Sequence, residues 1–181
     1  MYYKPLLASF VCLALSFAAG QCAYAQSPAA QSPAATAHSP AGEADTAFVQ
    51  QAAKGGLAEV SLSQLAVTAA SSPELREFAQ KMVTEHSANN RELADAASKA
   101  SISVPKETDQ EHQRLQQKLS TLRGPSFDTT YINAMVQDHQ KMVELLQSSS
   151  KTVSSPELRA YIDKTLPVVR GHLEMAQKLR K

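Results

Sequence analysis

The chain has 181 residues, with 18 basic against 17 acidic side chains and only two cysteines. The near balance of charge and the lack of a basic block argue against nucleic acid or an acidic membrane surface as a partner. Both cysteines, Cys12 and Cys22, lie within the first 25 residues, so a chain that loses this segment has no thiol for a disulfide, a thiolate metal site or a cysteine nucleophile.

The amino terminus has the layout of a secretion signal. Lys4 precedes an apolar run over 5–19, and Ala23-Tyr24-Ala25 supplies small residues before Gln26. This pattern predicts a cleavable signal over 1–25 and export to the periplasm, with association to the outer membrane left open. The apolar run is shorter than the about 20 residues that a spanning helix needs, so we expect no transmembrane segment after cleavage.

The next segment, 26–44, is rich in Ser, Pro and Ala and contains the unit QSPAA twice in succession. It has too little apolar surface to offset the entropy lost on ordering. We therefore predict a disordered tether over 26–44. The remaining residues, 45–181, are enough for one domain with its own core.

The tether is followed by a 3.6-residue apolar period, which predicts helices at about 45–70, 73–101, 108–122, 126–150 and 156–180. Ser72-Pro73 and Ser155-Pro156 are typical helix starts, with a serine cap followed by proline at the first helical position. Thr108 and Glu111 form a capping-box pattern that predicts the start of the short third helix.

Four long helices with a short one between the second and third long helices predict an all-α, ferritin-like four-helix bundle, with the short extra helix in the crossover between helices two and three. A plain up-down bundle is the alternative. The hexapeptide SSPELR occurs at 71–76 and again at 154–159. This repeat favours two related helical hairpins.

Each long helix carries one ionisable residue within its apolar stripe, and these are Glu59, His86, His139 and His172. Apolar stripes face the core. At 1.5 Å per residue, all four residues lie about 18–26 Å from the neighbouring turns, and therefore at similar levels. The sequence thus predicts a mid-bundle cluster of one carboxylate and three imidazoles.

This cluster has two interpretations. Nitrogen and oxygen donors without sulfur suit one ion of Zn, Cu, Fe or Mn. The other interpretation is a buried hydrogen-bonded network that holds no metal. Neighbouring polar residues receive simpler interpretations: Glu85 and Asp138 are expected at the surface rather than as partners of the histidines, and His112 on the short polar helix is expected in solvent.

Four segments, 55–66, 78–86, 131–139 and 165–173, resemble a bacterial family of exported domains of unknown function. Its members are helical and ferritin-like, and they are often labelled predicted outer-membrane proteins. The likeness extends over about 45–180. The resemblance implies a ferritin-like fold, an envelope location and a glutamate and three histidines at Glu59, His86, His139 and His172. It implies no established activity.

The carboxylates of a di-iron centre are missing. Such a centre needs Glu-x-x-His on two helices, whereas the residues three before the histidines are Val83, Val136 and Val169. We therefore expect a non-enzymatic, stress-related envelope protein that binds one transition-metal ion. The alternatives are a structural or protein-interaction bundle with a metal-free cluster, and a mononuclear metal oxidoreductase or hydrolase.

Overall fold

The computed structural model describes residues 42–181, so the predicted signal and nearly all of the predicted tether lie outside the described residues. Five helices form in this part of the chain, and no strand does: α1 (Glu43–Ala69), α2 (Pro73–Lys99), α3 (Gln110–Thr121), α4 (Gly124–Ser149) and α5 (Pro156–Leu179). The all-α prediction is confirmed, and the helix boundaries differ from the predicted ones by about two residues.

The two predicted serine caps form as expected. The Ser72 hydroxyl accepts a hydrogen bond from the Leu75 amide at 3.2 Å, and the Ser155 hydroxyl accepts one from the Leu158 amide at 3.3 Å. Each bond satisfies an amide that the first helical turn leaves without a partner. α2 and α5 therefore begin where the sequence predicts.

The predicted cap of the short helix is wrong by one residue, and the helix begins at Gln110 rather than at about 108. Asp109, rather than Thr108, caps α3, since its carboxylate accepts from the His112 amide at 3.0 Å. The Thr108 hydroxyl instead donates to the Lys54 carbonyl at 3.0 Å. This bond ties the segment before α3 to α1.

The helices form two antiparallel hairpins, α1–α2 and α4–α5, with α2 against α5 and α1 against α4. Asp45 near the start of α1 binds the turn before α5, and Asp128 near the start of α4 binds the turn before α2. α4 therefore begins at the end of the bundle where α1 terminates, which makes α2 and α4 parallel. The segment between them must run the length of the bundle, and its helix α3 packs on α1 and α4. This single crossover confirms the ferritin-like architecture over the up-down alternative.

Each aspartate accepts three hydrogen bonds from its turn, and we call these contacts the two aspartate clamps. Asp45 accepts from the Ser154 amide and hydroxyl, both at 2.7 Å, and from the Ser155 amide at 3.1 Å. Asp128 repeats the pattern at 2.5–3.0 Å with Ser71 and Ser72. Each clamp joins one hairpin to the turn of the other.

The apolar core divides into two clusters. The proximal core, at the end where α1 begins, contains Phe48, Leu93, Leu158 and Ile162 among its buried residues. The distal core, at the end where α1 terminates, contains Leu62, Phe78, Phe127 and Tyr131. The polar residues predicted for the middle of the bundle are buried as well, and they form the site described next.

Candidate metal centre

Three histidines from three different helices meet inside the bundle. His86 on α2, His139 on α4 and His172 on α5 are 4%, 1% and 2% exposed. One ring nitrogen from each lies within 4.8 Å of the other two, and in residues 42–181 this is the one group of at least three potential ligands that meets that distance. The three ring centroids are 5.1–5.5 Å apart. The arrangement could hold a metal ion.

The spacing of two of these nitrogens matches that of ligands on one ion. His86 Nε2 and His139 Nε2 are 3.3 Å apart. Nitrogens bound at about 2.0–2.1 Å to a tetrahedral ion lie about 3.3–3.4 Å from each other. The same distance also permits an N–H···N hydrogen bond in which one ring carries the proton.

Hydrogen bonds from His139 and His172 to residues outside the cluster decide which nitrogen of each ring is free to bind a metal. His139 Nδ1 donates to the Met135 carbonyl at 2.8 Å, which leaves Nε2 without a proton in the neutral ring. His172 Nε2 donates to the Glu85 carboxylate at 2.6 Å, which leaves Nδ1 as the acceptor. His172 Nδ1 is buried and has no hydrogen-bond partner in the described part of the chain. Metal-bound histidines are commonly held by this kind of carbonyl or carboxylate contact.

Burial keeps all three rings in the form that binds metals. Desolvation lowers the pKa of His86 well below its ordinary value, with further lowering by the two neighbouring imidazoles. Desolvation also lowers the pKa of His139 to about 4, and it lowers the pKa of His172 despite the contact with Glu85. Neutral imidazole is the ligand form, so none of the three rings has to lose a proton at neutral pH.

Glu59 lies beside this cluster. Its Oε1 atom is 3.4 Å from His139 Nδ1, the nitrogen on the side of the ring opposite Nε2. Burial raises the pKa of Glu59 well above its ordinary value, as does the charge of Asp138. Its Oε2 atom is buried and has no partner among residues 42–181. Of the four predicted residues, the structure thus brings three together as potential ligands and places Glu59 behind His139.

Two nearby interpretations from the sequence are wrong. Glu85, expected as a surface charge, reaches from α2 to His172 on α5. The side chain of His112, expected in solvent, is only 13% exposed and lies 2.7 Å from Asp109 and 3.4 Å from Asp138. These contacts, with Asp138 contributing most, raise the pKa of His112 to about 9. His112 is therefore a cation at neutral pH, near the site but outside it.

A cavity of about 210 Å³ lies against the cluster. Its inner wall includes Glu59, His86 and His139, and His112 with its two aspartates lines another part. The walls contributed by α1 and α4 include Gly55 and Met142. Two of the three histidines thus border a space large enough for a small molecule.

The residues do not fit the di-iron centre of ferritins. That centre uses carboxylates from all four helices, whereas the described core has a single buried glutamate, Glu59, among the histidines. The positions three before the histidines are valines. The donor set suits a single ion bound by imidazole nitrogen.

The fold and the site together define a ferritin-like helical bundle with a buried three-histidine cluster. The chain belongs to the family described as a domain of unknown function, DUF4142, whose model matches residues 28–179. The predicted membership of a domain-of-unknown-function family is confirmed. A comparison with curated proteins finds no match. Among residues 42–181, every helix is too short or too polar to cross a membrane.

Two solved structures share the fold. A DUF305 fragment from Deinococcus radiodurans is 16% identical, has a TM-score of 0.68 and aligns over 78% of this chain and 98% of its own. CopM, described in its Cu(II)-bound form, is 17% identical, has a TM-score of 0.63 and aligns over 75% of this chain and 94% of its own. At these identities the likeness shows the architecture alone.

Proposed function

We propose that this protein binds one transition-metal ion through His86, His139 and His172, and that it does so in the cell envelope. The observation that carries the proposal is the convergence of three buried, neutral imidazoles. Two of these rings are held from outside, by the Met135 carbonyl and the Glu85 carboxylate. Such outer contacts fix ring orientation and make the free nitrogen a better donor.

The donor set favours copper or zinc. Imidazole nitrogen suits Zn, Cu and Fe, while Mn prefers carboxylate and water ligands. Copper also has the highest affinity for such a site in the series of divalent ions. CopM, a protein with this fold, is described as Cu(II)-bound. Copper is therefore the first ion to test, with zinc second and iron third.

Glu59 supports the site in this proposal from behind His139. Its carboxyl oxygen lies 3.4 Å from the nitrogen of His139 that faces away from the cluster. We therefore infer that Glu59 orients His139 and adjusts its basicity, while the metal takes its protein ligands from the three histidines.

The test is elemental analysis of untagged protein loaded separately with copper, zinc and iron. We expect one ion per wild-type chain and loss of the ion in His139→Ala. His112→Gln is the matched control, because it removes a histidine that lines the cavity but lies outside the cluster. A wild-type chain that stays below one ion per chain with every metal would refute the proposal.

A metal-free hydrogen-bonded cluster is the second candidate, since the 3.3 Å contact between His86 and His139 can be a hydrogen bond. The same experiment separates the two candidates. The metal-free cluster predicts no bound ion in any sample, together with a lower melting temperature for His139→Ala in the presence of a chelator. The metal-binding proposal predicts that added metal raises the melting temperature of the wild type alone.

The secretion signal predicted for the first 25 residues supports the envelope part of the proposal. The charged start, the apolar run and the small residues before Gln26 are typical of a secretion signal. We expect the chain recovered from a periplasmic fraction to begin at Gln26, as measured by mass spectrometry. Recovery of the protein with its first 25 residues intact, in the cytoplasmic fraction, would contradict this location.

A further inference from the structure

The histidine cluster is buried, so a metal ion needs a route to it. His86, His139 and His172 are at most 4% exposed. The cavity of about 210 Å³ borders His86 and His139, and the exposed residues Gln51 and Lys141 also line it. The cavity therefore offers a path between the surface and two of the three proposed ligands.

One segment of the crossover lies beside this path, and we call residues 105–114 the strap. On one side, the Thr108 hydroxyl donates to the Lys54 carbonyl of α1 at 3.0 Å. On the other side, His112 Nε2 lies 3.4 Å from the Asp138 carboxylate of α4. Lys54, His112 and Asp138 all line the cavity. The strap therefore bridges α1 and α4 at the cavity that the two helices border.

Apolar packing anchors the chain on both sides of the strap but not the strap itself. Ile102, which precedes it, is buried in the proximal core, and Leu119, which follows it, is buried in the distal core. No residue of 105–114 is buried. A segment with few buried apolar contacts opens at a lower free energy than the core does. The strap can therefore open while the anchors on both sides stay in place.

Three polar contacts between the strap and its neighbours are found among residues 42–181. Two are those of Thr108 and His112, and in the third Glu111 lies 3.6 Å from Lys141. The Glu111 and Lys141 side chains are 75% and 51% exposed, and such a pair contributes little. The His112 and Asp138 side chains are only 13% and 15% exposed. Their ion pair is therefore the better shielded link between the strap and α4.

We propose that the strap is a gate through which a divalent metal ion reaches and leaves the histidine cluster, and that the ion pair between His112 and Asp138 is its latch. When the latch opens, the positive ring of His112 leaves the cavity, while the Asp138 carboxylate stays on α4. Both changes favour the passage of a positive ion. This inference rests on the proposed metal binding and adds the route and the contact that sets the rate.

Metal transfer to a chelating dye measures the gate. The experiment loads wild type and His112→Ala with zinc, or with copper if zinc does not bind, and verifies one ion per chain by elemental analysis. Excess pyridylazoresorcinol then takes up the released ion. We expect release about ten-fold faster from His112→Ala, which corresponds to a barrier lower by about 1.4 kcal/mol. Loss of the His112 charge by itself would hold a bound cation more firmly, so it does not explain faster release.

Uptake of the same ion by the metal-free protein should accelerate by a similar factor, because an open gate speeds passage in both directions. Faster release with unchanged uptake would mean weaker binding and would overturn the gate. Asp128→Ala controls for a general loss of stability, since Asp128 fastens the turn before α2 and lies outside the strap and the cavity. We expect wild-type rates in this variant, and an equal acceleration in Asp128→Ala would overturn the latch.

A pair of glycine variants tests the route. Gly55 lines the cavity, and a Cβ atom there would lie 2.8 Å from the methyl group of Met142, which lines it too. Gly55→Ala therefore adds bulk to the cavity wall. At Gly171 a Cβ atom meets nothing within 4 Å, which makes Gly171→Ala the matched control. We expect uptake and release to be about three-fold slower in Gly55→Ala and unchanged in Gly171→Ala.

The outcomes separate the gate from the metal site. A wild-type chain that takes up neither zinc nor copper would refute the proposed metal binding, and the gate with it. Equal rates in loaded wild type and His112→Ala would overturn only the latch. Wild-type rates in Gly55→Ala would overturn the route through this cavity.

Discussion

The two ends of the bundle repeat each other, and the middle does not. The offset that aligns the two copies of SSPELR also aligns Asp45 with Asp128, and each aspartate binds the turn of the other hairpin. It aligns Phe48 with Tyr131 and Phe78 with Tyr161. These residues form two matching ring pairs, Phe48–Tyr161 at 6.1 Å and Tyr131–Phe78 at 6.4 Å.

The same offset fails at the histidine cluster. It places Val169 opposite His86, Gly56 opposite His139, Asn89 opposite His172 and Met142 opposite Glu59. The two hairpins are therefore joined at both ends of the bundle by the same kind of contacts. The residues of the histidine cluster have no equivalents in the other hairpin. We infer that the repeated ends stabilise the fold, while the proposed metal binding belongs to the middle. The predictions below test that division.

The largest expected effect belongs to the middle. A metal present at about 1,000 times its dissociation constant stabilises the protein that binds it by about 4 kcal/mol. We expect copper or zinc to raise the melting temperature of the wild type accordingly, and to leave that of His172→Ala unchanged. Thermal unfolding with and without chelator measures both. A similar rise in the variant would place the metal somewhere other than the cluster.

The next effect distinguishes the two ends. Asp45 is 2% exposed and accepts three hydrogen bonds, so Asp45→Ala should cost about 3 kcal/mol, as the loss of hydrogen bonds to a buried charged group does. Asp128 makes the same bonds in a more exposed position. Asp128→Ala should therefore cost about half as much.

Urea unfolding of the two aspartate variants, each with its metal content measured, provides the test. Both variants should keep the metal, since neither aspartate lies near the histidines. Loss of metal in either variant would show that the ends and the middle are not separate in function. Equal losses of stability would show that exposure does not distinguish the two clamps.

The fold could be predicted because its determinants are local. Serine followed by proline fixes the starts of α2 and α5, and the apolar period fixes which face of each helix is buried. The same period places Glu59 and the three histidines in the core, where the structure has them. The two hairpins and the crossover follow from the order and length of the helices.

Contacts between helices could not be predicted this way. Glu85 is one residue before His86 and points about 100° away from it, so the period assigns it to the surface. It reaches His172 because α5 lies beside α2, which the pattern of one helix cannot reveal. The prediction that His112 lies in solvent is wrong for a related reason. Its short helix is polar in sequence, but the crossover lays it against α1 and α4, where Asp138 meets it.

A pH-dependent effect comes next in size, and it concerns the crossover rather than either core. The pKa of His112 is raised to about 9 by Asp138 and Asp109. A histidine with a raised pKa in the folded state stabilises fully below its unfolded value of about 6.5, and this contribution is lost as pH rises through about 9. Because the ring is partly solvated, we expect His112→Gln to cost about 1–2 kcal/mol at pH 6 and almost nothing above pH 9.

Chemical unfolding of wild type and His112→Gln across this pH range measures the difference. If the crossover serves only to join the hairpins, metal content should be the same in both proteins at every pH. A difference in stability that grows with pH would contradict the assignment of His112 as the cation between the two aspartates.

The smallest expected effect is a gain in stability at Gly171, which directly precedes His172 in α5. A glycine inside a helix costs about 0.5–1 kcal/mol relative to alanine, because its backbone loses more freedom on folding. A Cβ atom at Gly171 meets nothing within 4 Å. Gly171→Ala should therefore raise the free energy of unfolding by that amount.

Gly55→Ala should raise the free energy of unfolding by less, since its Cβ atom must displace the Met142 methyl group 2.8 Å away. Urea unfolding without metal measures both variants. If Gly171→Ala destabilised the protein, the backbone next to His172 would need the conformational freedom of glycine, and not only room for a small side chain.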